Sequence, residues 1–163
     1  MATNRTFDVV DLTVLETLQQ NSRTTTAEIA RHLGMAPSAV LERLRKLEGR
    51  KVIKSYEAQL DPEALGLPLL AFVFVQVDES VGHMTAGDRL AEVPNVLEVH
   101  HVAGEDCYLL KVRVPDTAAL GSMLRDDIGA VESVRSTRTT IVLETEKESG
   151  SLPLPTRSKQ KGG

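Results

Sequence analysis

The side chains best suited to chemistry in this sequence lie close together between residues 25 and 54. Ser38 and Ala39 stand near the start of a stretch with helical periodicity, and Arg43 and Lys46 follow on its polar side. Small side chains near the N-terminal end of a helix can reach base edges, and Arg or Lys can reach guanine or phosphate oxygens. The pattern therefore indicates a surface for nucleic acid.

Two helices must position those groups. Thr25 and Glu28 have the spacing of a capping box, which opens a helix, and Gly34 is placed to end that helix in a left-handed conformation. Pro37 suits the first turn of a second helix. Val40, Leu44 and Leu47, with Leu41 beside them, form the inward stripe of this second helix. The pair predicts a helix-turn-helix whose second member enters the DNA major groove.

The flanking segments complete a small domain. Residues 8–23 have leucines at helical spacing, with Asp11 as the expected N-cap. Polar and apolar side chains alternate sufficiently over residues 52–61 to predict a two-stranded wing, with Lys54 available to a phosphate. Residues 1–60 are therefore predicted to form a winged helix-turn-helix domain.

Net charge is distributed unevenly along the chain. Residues 1–54 contain nine Lys or Arg and six Asp or Glu, a net charge of +3. Residues 55–155 contain seven basic and seventeen acidic residues, a net charge of −10, and the last eight residues add three basic ones. This asymmetry, in a chain whose net charge is −4, favours a polyanionic partner for the first part.

The composition changes near residue 61, where prolines and a glycine mark residues 61–67 as a linker. Residues 68–148 then show the order β-α-β-β-α-β, which is that of a ferredoxin-like sandwich. The predicted strands are residues 69–77, 96–104, 107–114 and 134–144, and the helices fall within residues 81–93 and 117–129. The predicted fold class is α+β, and residues 149–163 are expected to be a flexible, dispensable tail.

The first strand of the second domain predicts assembly. Residues 69–75 are apolar without alternation, although a sheet with both helices on one face should alternate. The other face is therefore expected to be covered, by a second copy of the chain or by the chain's own N-terminal domain. A homodimer is the prediction.

Several other classes of protein are not indicated. The sequence lacks a run of 18 apolar residues and an apolar N-terminal signal, and it has a single cysteine, so a cytoplasmic location without membrane contact is expected. His100 and His101 would point to opposite faces of a strand, so neither a metal site nor a cofactor is predicted. Nucleotide-binding and hydrolase motifs are absent from the sequence, and an enzyme is not predicted.

Taken in order, these segments resemble the Lrp/AsnC (feast/famine) family of transcription regulators. The resemblance rests on DLTVLETLQQNSR, AEIARHLGMAPSAVLERLRKLE, VIKSYEAQLDPEALG and VHHVAGEDCYLLKV, and it extends from about Asp8 to Leu154. It implies a winged-helix DNA reader joined to a βαββαβ domain that binds a small effector, usually an amino acid, and builds dimers or octamers. A dimer further predicts a pseudo-palindromic operator on double-stranded DNA.

The resemblance also assigns residues. Those expected to face DNA are Thr25, Pro37, Ser38, Ala39, Glu42, Arg43, Lys46, Arg50, Lys51 and Lys54. Those expected to bind the effector are Val102, Gly104, Glu105, Asp106, Cys107, Tyr108, Ser136, Thr137 and Thr139. A glycine-bearing turn can offer backbone N–H groups to an α-carboxylate, and a nearby carboxylate can hold the α-ammonium.

Three residues depart from the family pattern. Ala36 replaces the usual serine N-cap of the recognition helix, which costs about 1 kcal/mol of capping. Lys51 takes the place of a usual glycine, and Cys107 stands where an aspartate is common. The last departure keeps open an effector-independent, architectural DNA-binding protein. A tetrapyrrole decarboxylase of similar fold is the enzymatic alternative, and the basic recognition helix argues against it.

Overall fold

The computed structural model describes residues 7–79, 85–104 and 107–155, which form two compact units. The first unit takes in the chain up to Ala58 and again from Glu148, and the second comprises Gln59–Lys147. The flexible tail expected from residue 149 is therefore, as far as Pro155, part of the first unit. The chain leaves the first unit, builds the second and returns.

Three helices form the first unit: α1 (Val9–Gln20), α2 (Thr26–Leu33) and α3 (Pro37–Gly49). The capping box of Thr25 and Glu28 and the left-handed Gly34 (φ 64°) are confirmed. The expected N-cap of α1 is wrong: Asp8 caps the helix, and Asp11 is the third residue, because the Asp11 amide donates to Asp8 at 2.8 Å. The core of the unit consists of Val14, Leu15, Ile29, Ala30, Val40, Leu44 and Leu47.

The two-stranded wing predicted for residues 52–61 is not formed, since this part of the described chain contains no strand. Lys51 adopts a left-handed conformation (φ 54°), and the Val52 amide donates to the Leu47 carbonyl at 2.9 Å. The Tyr56 hydroxyl donates to Glu48 at 2.9 Å. These contacts turn the segment back onto the end of α3, which competes with extended pairing.

The second unit has the predicted order of elements. It consists of β1 (Leu69–Val77), α4 (Ala86–Ala91), β2 (Val96–His101), β3 (Tyr108–Val114), α5 (Thr117–Ser122) and β4 (Val134–Ile141). α5 continues as a π-helical turn over Met123–Ile128. The four strands pair antiparallel in the order β2-β3-β1-β4, as in a ferredoxin-like sandwich. β2 and β4 end three residues before the predicted limits.

The two faces of this sheet differ. The helices pack on one face, where Ala71, Val73 and Val75 of β1 are buried with the hydrophobic side chains of α4 and α5. On the opposite face Phe72 and Phe74 remain half-buried, and the Arg138 guanidinium lies 3.9 Å from the centre of the Phe74 ring. No helix in the described part of the chain is long and apolar enough to cross a membrane.

Candidate functional site

α3 presents a buried and an exposed face, as its periodicity predicted. Val40, Leu44 and Leu47 are buried against α1 and α2, whereas Leu41, expected beside them, is exposed. Ser38 and Lys46 are exposed on the opposite side. Arg45 is exposed on that side too, although the residues predicted from the sequence did not include it. Its angular position, at 100° per residue, was the signal that could have found it.

Arg43 does not lie with these exposed groups. Its guanidinium forms ion pairs with Asp8 and with Asp11, the latter at 3.0 Å. Arg43 is only about 70° around the helix from the middle of the buried stripe, so its side chain reaches across to the capping box of α1. Arg43 therefore joins two helices in this structure, and its DNA contact stays a prediction.

The contacts of Arg43 shift the pKa of Asp8 and of Arg43 itself. Burial raises the pKa of Asp8, but the Asp11 amide and the Arg43 guanidinium together outweigh it, so this pKa lies below its usual value. The hydrogen bonds to Asp8 and Asp11 raise the pKa of Arg43. Asp11 itself is only 8% exposed, so the cation compensates a carboxylate with little access to water.

The other predicted DNA contacts fall into three groups. Thr25 is engaged in its cap, with its hydroxyl donating to Glu28 at 2.7 Å, and Arg50 lies 5.4 Å from the centre of the Phe7 ring. Lys46 pairs with Glu42 at 2.6 Å, and both side chains are about two-thirds exposed, at 66% and 68%. The remaining residues of the predicted set are exposed, except for the half-buried Ala39: Pro37, Ser38, Lys51 and Lys54.

The turn expected to bind an effector closes the β2–β3 hairpin beside β1. The Val102 amide donates to the Cys107 carbonyl at 2.9 Å, and the Cys107 amide donates to the Val75 carbonyl at 3.0 Å. Gly104 has φ 136°, a conformation that favours glycine, and a Cβ there would meet no atom within 4 Å. Glu105 and Asp106, also predicted for this site, lie outside the described residues.

The structure brings part of the last strand to the same end of the sheet. Val75 pairs with Tyr108 on one side and with Thr137 on the other, so these two residues are two strand spacings apart, about 10 Å. Thr139 is one step further along the same face, opposite Val73. Ser136 points to the other face, where its hydroxyl donates to Gln76 at 3.1 Å.

Tyr108 belongs to the core as much as to the turn. It is only 5% exposed, and burial raises the pKa of its hydroxyl. A Cβ built on Gly87 would lie 2.9 Å from the Tyr108 ring, so α4 rests directly on that ring. The thiol of the neighbouring Cys107 donates to the Val77 carbonyl at 3.7 Å. These contacts hold the end of the hairpin against α4 and β1.

Known proteins share both units. Residues 7–48 match the AsnC-type helix-turn-helix domain, and residues 70–152 match the Lrp/AsnC ligand binding domain. HTH-type transcriptional regulator FL11 of Pyrococcus horikoshii is 36% identical over 148 residues, covering 91% of this chain and 97% of that protein. The leucine-responsive regulatory protein of Escherichia coli K12 is 35% identical over 156 residues, covering 93% of each chain.

A solved structure is similar to most of this chain. The feast or famine regulatory protein of Mycobacterium tuberculosis, complexed with L-methionine, superposes with a TM-score of 0.83. It is 35% identical and covers 90% of this chain and 99% of its own. The resemblance drawn from the sequence is confirmed, and the chain belongs to the Lrp/AsnC family of transcriptional regulators.

Proposed function

We propose that this regulator binds an operator through the outer face of α3 and responds to an amino acid bound at the turn of residues 102–107. The proposal of DNA binding rests on the observation that α3 has one buried face and one exposed face. Its buried stripe fixes the helix on α1 and α2, and the opposite face exposes Ser38, Arg45 and Lys46. An exposed helix face with a small polar residue ahead of two cations suits the major groove.

The side chains of that face are assigned different contacts with DNA. Ser38 reaches base edges, and Arg45 and Lys46 reach guanine or phosphate oxygens. Glu42, paired with Lys46, orients that cation and can accept a hydrogen bond from a cytosine amino group. Lys51 and Lys54 follow α3 and add phosphate contacts. Arg43 and Thr25 support the helices instead.

A homodimer would present two such helices. Phe72 and Phe74 lie on β1, an inner strand, and are only half-buried on the face without helices. A second copy covering that face would bury both rings and place two α3 helices on half-sites one DNA turn, about 34 Å, or a multiple apart. The operator is then pseudo-palindromic. Further association to octamers and a cytoplasmic location complete the proposal.

The effector half rests on the geometry of the turn. Gly104 holds a backbone conformation that leaves space beside it, so N–H groups there can meet an α-carboxylate. Thr137 and Thr139 share the same face of the sheet and offer hydroxyls, and Val102 and Cys107 flank the turn. A bound L-methionine in the M. tuberculosis relative supports an amino acid as the ligand.

The test is fluorescence-anisotropy binding to the DNA upstream of the protein's own gene, across a range of salt concentrations. Each of the twenty amino acids is added in turn, beginning with L-methionine. We expect saturable, salt-dependent binding that exceeds binding to competitor DNA and shifts with one or a few amino acids. Binding that is indifferent to all twenty would favour the architectural alternative, and an absence of specific binding would refute the DNA assignment.

Two matched variants locate the effector site. Gly104→Glu should abolish the amino-acid response and leave DNA binding largely intact. Gly66→Glu is the control, because Gly66 also has a positive φ (72°) and open space around it, but lies outside the turn. A normal response in Gly104→Glu, or an equal loss in both variants, would move the site elsewhere.

A further inference from the structure

Glu79 lies just beyond the end of β1 and holds its carboxylate against two other segments of the second unit. One oxygen, Oε1, accepts hydrogen bonds from the Thr85 amide at 3.2 Å, the Thr85 hydroxyl at 3.1 Å and the Ala86 amide at 2.9 Å. The Ser133 hydroxyl donates to the same oxygen at 3.3 Å. Because these donors lie at the start of α4 and just before β4, the carboxylate is held in one place.

The second oxygen of this carboxylate is in a different situation. Oε2 is shielded from solvent and receives no hydrogen bond from the described residues. Burial raises the pKa of Glu79, but the hydrogen bonds from Thr85, Ala86 and Ser133 outweigh it, so this pKa lies below its usual value and the group is anionic at neutral pH. A shielded anionic oxygen without a donor is costly, so a ligand that donates a hydrogen bond to it gains affinity.

Glu79 lies at the same end of the sheet as the turn proposed to bind the effector. The Cys107 thiol donates to the Val77 carbonyl at 3.7 Å, and Glu79 is two residues further along the chain. The start of α4, which donates to Glu79, continues into Gly87, where a Cβ would lie 2.9 Å from the Tyr108 ring. Burial raises the pKa of the Tyr108 hydroxyl, and the charge of Glu79 raises it further. The carboxylate is therefore within electrostatic reach of the turn.

A free amino acid carries an ammonium group as well as a carboxylate, and a protein carboxylate is a strong partner for an ammonium. The described residues assigned to the effector are all neutral, since they are glycine, valine, cysteine, tyrosine, serine and threonine. Two described carboxylates follow β1 directly, and the first of them, Asp78, forms an ion pair with Arg135. Glu79 is the one of the two that keeps an oxygen without a partner.

We propose that Oε2 of Glu79 accepts a hydrogen bond from the α-ammonium of the effector, while N–H groups at Gly104 meet the α-carboxylate. The assignment rests on the amino-acid site of the proposed function and adds the residue that distinguishes an amino acid from a simple carboxylic acid. Glu79 as a whole is half-buried, so a small local shift exposes Oε2 to the ligand. The donors on Oε1 keep the charge in position, so little ordering is required when the ligand binds.

The expected effect of removing the charge is a loss of discrimination between two ligands. A hydrogen bond between charged groups should make L-methionine bind about 10–100-fold more tightly than methylthiobutyrate, which is the same molecule without its amino group. Glu79→Gln keeps an oxygen for the donors at α4 and removes the charge. L-methionine should then bind about 10–100-fold more weakly, methylthiobutyrate should bind about as before, and the ratio of the two affinities should approach one. A merely structural role of Glu79 would weaken both ligands alike.

The experiment is isothermal titration calorimetry of both ligands on the full chain and its variants, with circular dichroism to verify folding. Asp88→Asn is the matched control. It removes one negative charge from an exposed position on α4, and that charge also adds to the raised pKa of Tyr108. We expect the control to keep the ratio of affinities that the unaltered chain shows.

Several results would overturn the assignment. One is an unchanged ratio in Glu79→Gln, and another is an equal weakening of both ligands. Loss of discrimination in Asp106→Asn but not in Glu79→Gln would give the role to Asp106, which lies outside the described residues. If L-methionine does not bind, the comparison uses the amino acid that shifts DNA binding and its deaminated analogue. If none of the twenty binds, the proposed effector site has itself failed, and the role of Glu79 with it.

Discussion

Arg43→Ala should weaken DNA binding by loosening α3, and not by removing a phosphate contact. The guanidinium of Arg43 bridges the recognition helix to Asp8 and Asp11 at the start of α1. Its removal leaves Asp11 as a buried carboxylate without a cation. α3 is then held less firmly at its angle on the domain, so the exposed face no longer meets the groove in a single orientation.

The magnitude follows from the exposure of the three side chains. Arg43 is 33% exposed, Asp11 11% and Asp8 48%. A fully exposed ion pair contributes about 1 kcal/mol or less, and breaking a fully buried one costs about 3–5 kcal/mol. Because this cluster is intermediate and partly screened by solvent, we expect a loss of about 2 kcal/mol. That corresponds to a fall of about 10 °C in the unfolding temperature of a small domain.

Two measurements separate positioning from contact. Thermal unfolding reports stability, and anisotropy titrations across salt count phosphate contacts. Lys46→Ala is the matched control, since its ion pair with Glu42 is exposed, and it should lower the salt slope by about 0.9 per protomer at unchanged stability. Arg43→Ala should lower stability and affinity at unchanged slope. A lower slope at unchanged unfolding temperature for Arg43→Ala would refute this reasoning.

Three further predictions follow from local geometry. Lys51→Gly relieves a left-handed φ of 54° and should raise stability by about 1 kcal/mol in urea unfolding; a loss would contradict this account of the α3 terminus. The Cβ of Gly87→Ala would lie 2.9 Å from the Tyr108 ring, so this change should lower the free energy of unfolding by about 1–3 kcal/mol. Gly121→Ala is the control, because its Cβ would meet only a flexible guanidinium at 3.2 Å, and it should not lower stability. Equal losses in the two variants would disprove the packing argument. Because the pKa of Asp8 is lowered in the folded chain, the stability it contributes is complete at neutral pH and is lost as the pH falls below about 4, so Asp8→Asn should flatten the acid limb of a stability–pH curve.

Some interactions within a few residues could be predicted from the sequence, although the N-cap of α1 was assigned to Asp11 and not to Asp8. The cap of α2 joins Thr25 to Glu28 three positions away, and Gly34 ends the same helix by its own backbone freedom. The order of helices and strands along the second unit followed from the order of hydrophobic patterns in the sequence. The prediction of the wing was wrong because a weak alternation of polar and apolar residues over 52–61 cannot show whether a partner strand exists. The hydrogen bonds at the end of α3 decide that instead.

The functional residues divide in the same way. The outer face of α3 could be predicted because helical periodicity fixes which side is buried. The direction of Arg43 could not, since it depends on Asp8 and Asp11, which lie 35 and 32 residues away. The contact of Gln19 with Leu152 is a more extreme case, because these two residues are 133 positions apart and the C-terminal segment has no periodic pattern. Contacts between residues so far apart in the sequence cannot be recognised from the local composition.

The contact of Leu152 with Gln19 of α1 also affects the order in which the chain folds during synthesis. The DNA-binding unit begins with the first residues translated but is completed only when Pro155 has emerged. At about 5–20 residues per second, the roughly 100 intervening residues take on the order of 5–20 s to translate. The second unit is made entirely within that interval. On the ribosome, the side of α1 that Leu152 contacts therefore stays uncovered while the second unit folds, and the DNA reader is the last part of the nascent protein to be finished.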